Sequence, residues 1–232
     1  MRFSIRRKNK KSLLVAAVAF LLSVAFAVPC AAQDSHAQSS EDTLTAREVF
    51  KRLESPALEI LKKNTRLDML DYWDVDSVYR AKNAMSGLSW LVDVKPGYLK
   101  VQITPVSSLE IKLLPEKKGE VVMTVYTIGG DRQASDSNVS FYDRNLKPLD
   151  TKKYFREPEL KEFFDIPKGS LTTYKEIKEM IPFPTVEYSA CAENDELSAR
   201  LTVGEFMNID DYNIVKLFLK PEISLRWNGR YK

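Results

Sequence analysis

Three consecutive strand-like runs between residues 97 and 128 constrain this chain more than any other feature. Period-two alternation with turn residues between the runs leads to an antiparallel meander. In the first run Leu99, Val101 and Ile103 alternate with Lys100, Gln102 and Thr104; in the second, Leu109, Ile111 and Leu113 alternate with Glu110 and Lys112. After a Glu116-Lys117-Lys118-Gly119 turn, Val121, Met123 and Val125 alternate with Val122, Thr124 and Tyr126. Simple register puts the first-named residue sets on one apolar side, resting on a core. It leaves Lys100, Gln102, Thr104, Glu110, Lys112, Thr124 and Tyr126 as a mixed polar side.

The flanking segments read as helices, then strands, then helices, then strands. Ala46, Val49, Phe50 and Leu53 make one apolar stripe at helical spacing, and Leu58 with Leu61 mark a second short helix. A third follows Asn64 or Thr65 with Leu67, Leu70 and Trp73 inward, and residues 78–85 pattern a fourth. Residues 129–138, polar and opened by two glycines, read as an exposed loop. Thr172 or Thr173 caps a helix carrying Tyr174, Ile177, Met180 and Ile181. Val186-Tyr188-Ala190 and Leu197-Ala199-Leu201-Val203 then alternate around the Glu193-Asn194-Asp195 turn, and Ile223-Leu225-Trp227 follows a helix over 210–219. With no regular βαβ alternation, the fold class is α+β: antiparallel sheet meanders with short helices packed on one side. A nucleotide-binding doubly wound fold is excluded.

The N-terminus sets the compartment. Residues 1–32 read as a secretory leader, with Arg2, Arg6, Arg7, Lys8, Lys10 and Lys11 before an apolar stretch over 13–28 and small residues before Gln33. Residues 33–43 read as a disordered tether, and residues 44–232 as one α+β domain, with a possible pair of similar halves split near 150. Cys30 is the one position where a lipid could be attached. Membrane contact is expected only through an uncleaved or lipidated leader. The leader holds six of the 35 Lys and Arg and none of the 32 Asp and Glu. The remaining chain is therefore mildly acidic, 29 against 32, with no bulk electrostatic case for nucleic acid. Beyond the leader one cysteine remains, Cys191, so no internal disulfide is available. The sole histidine, His36, falls in the tether, which leaves no Ser-His, Cys-His or multi-histidine zinc arrangement in the domain. The sequence points to no cofactor.

Several short stretches resemble a known family. Asn64-x-Arg66-Leu67-Asp68-Met69-Leu70-Asp71, then Leu109-x-x-Lys112-Leu113-Leu114-Pro115, Ser140-Phe141-Tyr142, Pro148-Leu149 and Trp227 are similar to exported proteins of unknown function from Bacteroidales-type Gram-negative anaerobes. The resemblance covers most of the chain after the leader, with the Asn-x-Arg-Leu-Asp box its most specific part. It implies a periplasmic or cell-surface setting and no established activity or site residues.

The sharpest candidate site is the acidic group Asp68, Asp71 and Asp74, with Asp76 nearby. At i, i+3 and i+6 the first three share one side of a helix, where carboxylates serve as calcium ligands or as an acid/base pair in glycoside hydrolysis. A solvated helix face is the competing assignment. Tyr72, Trp73, Tyr79 and Trp90 could stack on sugar rings or fill a core. Lys112, Lys117, Lys118 and Arg132 could form a basic patch or a solvated edge. Gly129-Gly130-Asp131 is too short for a phosphate loop.

The leading expectation is a non-enzymatic binding or interaction module of the periplasm or cell surface, with an envelope protein or glycan as partner. Its contact surface would comprise Lys100, Gln102, Lys112, Tyr126, Asp131 and Arg132, on the polar side of the meander and the following loop. The alternatives are a glycan or peptidoglycan hydrolase using Asp68, Asp71 or Asp74, and a structural subunit of an envelope assembly.

Overall fold

Every strand of the protein pairs with a strand adjacent to it in sequence. A computed structural model describes residues 43–75, 77, 79–117, 119–129 and 134–232. The proposed leader with Cys30, nearly all of the tether with His36, and Asp76, Val78, Lys118, Gly130, Asp131 and Arg132 lie outside the described residues. Strands β1 (Ala81–Lys82), β2 (Leu88–Lys95), β3 (Tyr98–Thr104), β4 (Ser107–Glu116), β5 (Gly119–Ile128), β6 (Asp136–Tyr142) and β7 (Pro148–Leu149) form a seven-stranded antiparallel meander. A second antiparallel sheet contains β8 (Val186–Ala190), β9 (Glu196–Leu201) and β10 (Ile223–Arg226), in the order β10-β9-β8. The fold is α+β and antiparallel.

Each face of the large sheet carries its own core. On one face α1 (Ala46–Arg52) and α2 (Lys63–Asp74) bury Val49, Phe50, Met69 and Leu70 against Leu99, Val101, Leu109, Ile111 and Val122. On the other, Val121, Met123, Val125 and Phe141 meet Tyr188, Leu197 and Ala199 of the small sheet. Tyr154 of α3 (Thr151–Tyr154), Ile177 of α4 (Tyr174–Met180) and Val215 of α5 (Ile209–Val215) complete that second core.

This arrangement corrects the expected faces of the meander. The β4–β5 turn has only two residues between Glu116 and Gly119, so Leu113 lies opposite Val122 and Lys112 opposite Met123. Val121, Met123 and Val125 therefore share a face with Glu110 and Lys112, and Thr124 and Tyr126 share the helix-side face with Leu109 and Ile111. A one-residue offset moves every side chain of a strand across the sheet. The strand tolerates it because residues 121–125 are buried on both sides, as a central strand between two layers requires.

Three local assignments also change. The segment expected as a helix over 78–85 instead supplies β1 and a turn. There Asn83 Oδ1 accepts the N–H groups of Met85 and Gly87, each at 3.0 Å, and the helical alternative loses those donors. Asp136, Ser137 and Asn138, expected in a loop, begin β6. Helix α2 turns Arg66, Met69 and Leu70 inward and leaves Leu67 42% exposed. The rotation serves the end of α1, where Arg66 Nη1 donates to the carbonyls of Phe50 at 2.7 Å and Leu53 at 2.9 Å. These satisfy acceptors that a helix C-terminus leaves open. The cap of α4 was legible: Thr173 and Glu176 form a reciprocal capping box.

Candidate functional site

Edge strands must place the polar groups of their free side, and β8 does so through side chains of the large sheet. Ala190 N–H donates to Glu110 at 2.7 Å, Tyr188 N–H to Ser137 Oγ at 3.0 Å, and Val186 N–H to Asp136 at 3.2 Å. These are the alternate N–H groups that point away from β9, whose pairing is marked by Thr202 N–H to Thr185 O at 2.9 Å and Cys191 N–H to Glu196 O at 2.9 Å. The small sheet thus stands on its β8 edge upon the large sheet.

Further contacts fix the β8–β9 turn. Lys112, 6% exposed, donates to Cys191 O at 3.0 Å and lies 3.7 Å from Asp195. Lys95 pairs with both Asp93 and Glu193. Glu110, 3% exposed, also accepts from Lys100 Nζ at 2.8 Å, so its buried charge has a charged donor as well as a backbone one. Burial, with Glu110 beside it, pushes the Tyr98 phenol well above its usual range.

Standing the small sheet on edge divides that face of the meander. One part is the apolar core described above. The other stays open as a cleft of about 640 Å³. Its floor is a single cross-strand row, Trp90, Gln102, Ser108 and Thr127, with Lys100 from the next row. One wall is the outer face of β8 and β9, where Glu187 and Arg200 are opposite one another and ion-paired. Another is built from Gly204, Tyr212, Gly129 and Ser135. Thr202 Oγ1 donates to Ser135 O and ties these segments together.

The polar groups of the cleft are set in place before any ligand arrives. Gln102 Nε2 donates to Thr104 O at 2.8 Å and Ser107 O at 3.1 Å, and Thr127 Oγ1 lies 2.8 Å from Ser137 Oγ. Trp90 is half-buried with the Arg80 guanidinium 5.0 Å from its ring centroid. Tyr212 lies so close to Gly204 that a β-carbon there would come within 2.8 Å of the ring. The volume and mixed aromatic and polar lining suit noncovalent binding of a small or extended ligand.

The expected contact residues disperse. Lys100 and Gln102 line this cleft, whereas Lys112 is buried under the β8–β9 turn and Tyr126 packs on the helix-side core. Glu110 and Lys112 of the expected polar side thus form part of an internal docking surface. Asp68, Asp71 and Asp74 are exposed on α2, on the opposite face of the sheet from the cleft. Asp74 is held by Arg47 at 2.8 and 2.5 Å, and that hydrogen-bonded pairing lowers its pKa. Among the described residues, no group of three or more His, Cys, Asp and Glu side chains could hold a metal ion. The aromatic group also splits: Tyr72 stacks on Tyr79 at 4.5 Å, Trp73 packs on the helix-side core, and Trp90 alone lines the cleft.

Sequence reasoning missed Ser108, Thr127, Glu187, Arg200 and Tyr212. The pairing of Glu187 with Arg200 could have been found by counting outward from the 193–195 turn; Tyr212 gives no local signal.

A family model described as "Protein of unknown function (DUF3256)" matches residues 37–231. No curated protein matches the chain. The fold is similar to the structure of a domain of an uncharacterized protein from Porphyromonas gingivalis W83, a Bacteroidales bacterium. The TM-score is 0.68 at 22% identity, covering 80% of this chain and 96% of the other. Among the described residues no helix is long and apolar enough to cross a membrane.

Proposed function

The chain belongs to the DUF3256 family of unknown function, and from that premise we propose that it is an exported, non-enzymatic binding module whose ligand site is the cleft between its two sheets. The observation that carries this reading is the composite lining: Trp90 and Gln102 from the large sheet face Glu187 and Arg200 from the small one. A site assembled from several elements and held by internal hydrogen bonds is preorganised, and preorganisation limits the entropy lost on binding. The single carboxylate among its described lining residues, Glu187, is paired with Arg200 and serves to orient a ligand. Export rests on the basic and apolar pattern of residues 1–32, and a periplasmic or surface partner, protein or glycan, follows from it.

The test is retention of envelope material by the full chain with and without a filled cleft. Thr127→Trp places a bulky residue of high strand propensity on the cleft floor. Capture from a solubilised bacterial envelope fraction should be lost while the melting temperature stays close to wild type. Undiminished capture by a folded Thr127→Trp protein would remove the cleft from consideration.

A further inference from the structure

We infer that the ligand of this cleft is a neutral oligosaccharide, an assignment that rests on the cleft being the binding site. Two aromatic rings and a set of amide and hydroxyl groups line one continuous space: Trp90 and Tyr212 with Gln102, Ser108 and Thr127. A sugar ring has one face of C–H groups and a rim of hydroxyls. Its C–H face is attracted to the negative face of an aromatic ring, while its rim needs closely spaced donors and acceptors. The cleft offers both, and its polar floor gives little to an apolar ligand.

The rings are fixed. Arg80 lies over Trp90 at 5.0 Å from the ring centroid. Tyr212 is set against the bare Cα side of Gly204, where any larger residue would drive a β-carbon to 2.8 Å from the ring. Rigid rings lose little side-chain entropy on binding, which is what makes stacking on them effective.

Charge and backbone chemistry select among polar ligands. Among the described lining residues the two cations, Lys100 and Arg200, are already matched by Glu110 and Glu187. A strongly anionic ligand would have to compete with those carboxylates, so a neutral one fits better. One recurring way for an extended peptide to bind is to add a strand to a free sheet edge. The outward N–H groups of β8 are occupied by Asp136, Ser137 and Glu110, which removes that mode at the edge beside the cleft.

The experiment titrates the full chain with three probe sets: neutral hexasaccharides of glucose, N-acetylglucosamine and mannose; oligogalacturonate as an acidic counterpart; and unstructured hexapeptides. Calorimetry and tryptophan fluorescence report binding. At least one neutral oligosaccharide should bind, Trp90→Ala should weaken it at least tenfold, Trp90→Phe should retain most of it, and Trp227→Ala should leave it unchanged. If Trp90→Ala does not fold, the Trp90→Phe and Thr127→Trp pair replaces it, with only the second abolishing binding. Absence of neutral-saccharide binding, or binding indifferent to Trp90→Ala and Thr127→Trp, overturns the assignment. Peptide or oligogalacturonate binding lost in Thr127→Trp, without neutral-saccharide binding, overturns the neutral oligosaccharide while sparing the cleft, and failure of all three probe sets overturns both.

Discussion

The carboxylate of Glu110 accepts the backbone N–H of Ala190 at 2.7 Å across 80 residues of sequence. The same side chain takes Lys100 Nζ at 2.8 Å. Removing it leaves a buried N–H and a half-buried ammonium without their acceptor, a loss of about 2–3 kcal/mol by the usual cost of deleting a charged hydrogen-bond partner. Glu110→Ala should therefore lower the melting temperature by roughly 4–12 °C, at about 2–4 °C per kcal/mol for a domain of this size. Glu110→Gln, which keeps an acceptor oxygen, should recover part of the loss. Thermal denaturation of the two variants checks this, and equal melting temperatures for Glu110→Ala and wild type would show the contact to be idle.

Arg66 is the second buried charge with a structural task. It donates to the carbonyls of Phe50 and Leu53, and burial lowers its pKa from the ordinary arginine value. Arg66→Met keeps the volume and strands both carbonyls, for an expected cost of about 2–4 kcal/mol. Arg66→Lys should fall between, because a compact ammonium on a thinner stem cannot reproduce the planar fork. Urea denaturation midpoints give the order; a neutral Arg66→Met would be the contrary result.

Gly204 and Tyr212 should behave as a coupled pair. Gly204→Ala pushes a β-carbon to 2.8 Å from Cε2 and 3.0 Å from Cζ of the ring, so the ring must move. The expected destabilisation is about 1–3 kcal/mol from overpacking. With Tyr212→Ala in place the same change should cost clearly less. A double-mutant cycle measures the difference, and strict additivity would mean that the ring is free to swing aside.

Acid should weaken the protein through carboxylates held by cations. Hydrogen bonds from Arg47, Arg156 and Lys95 lower the pKa values of Asp74, Glu162 and Glu193 respectively. A lowered native value means that the unfolded chain takes up protons first as pH falls. Their contribution is thus complete above the ordinary carboxylate range of about 3.9–4.3 and is lost as pH drops below it through the native values. Lys95, raised chiefly by its hydrogen bond to Glu193, works in the opposite sense. Its support is complete below the ordinary lysine value of about 10.4 and is lost as pH rises through the native one. Arg47→Gln should flatten the acid limb of a melting-temperature profile; an unchanged limb would exclude Asp74 as a contributor.

How much of this was readable beforehand depends on what the pattern encodes. Alternation in Leu99, Val101, Ile103, Leu109, Ile111 and Leu113 reported a half-apolar strand pair, and the structure places all six in the helix-side core. The next strand misled because Val121 to Val125 is apolar almost throughout, so alternation carried no face information and only the two-residue turn could set the register. That continuous run was itself the signal of burial on both sides. Glu110 and Lys112 looked like surface residues since their partners, Ala190 and Cys191, come from about 80 residues away and are engaged through backbone atoms, which have no sequence signature. Trp90 stood in the sequence as one of four aromatics, and only tertiary placement separated it from Trp73 in the core.

The β8 edge also bears on the order in which the chain assembles. Within each sheet every strand finds a sequence neighbour, so the large sheet is built from short-range closures that cost little loop entropy, and in the small sheet only the β9–β10 pairing spans a longer connection, residues 202–222. Docking the second sheet is the long-range step, and its polar fastening, which includes the Glu110, Ser137 and Asp136 contacts, needs two finished surfaces. The docking is thus expected late, after the folding barrier. Glu110→Gln should accordingly speed unfolding and leave the folding limb of a chevron unmoved, whereas a slowed folding limb would place the fastening inside the nucleus.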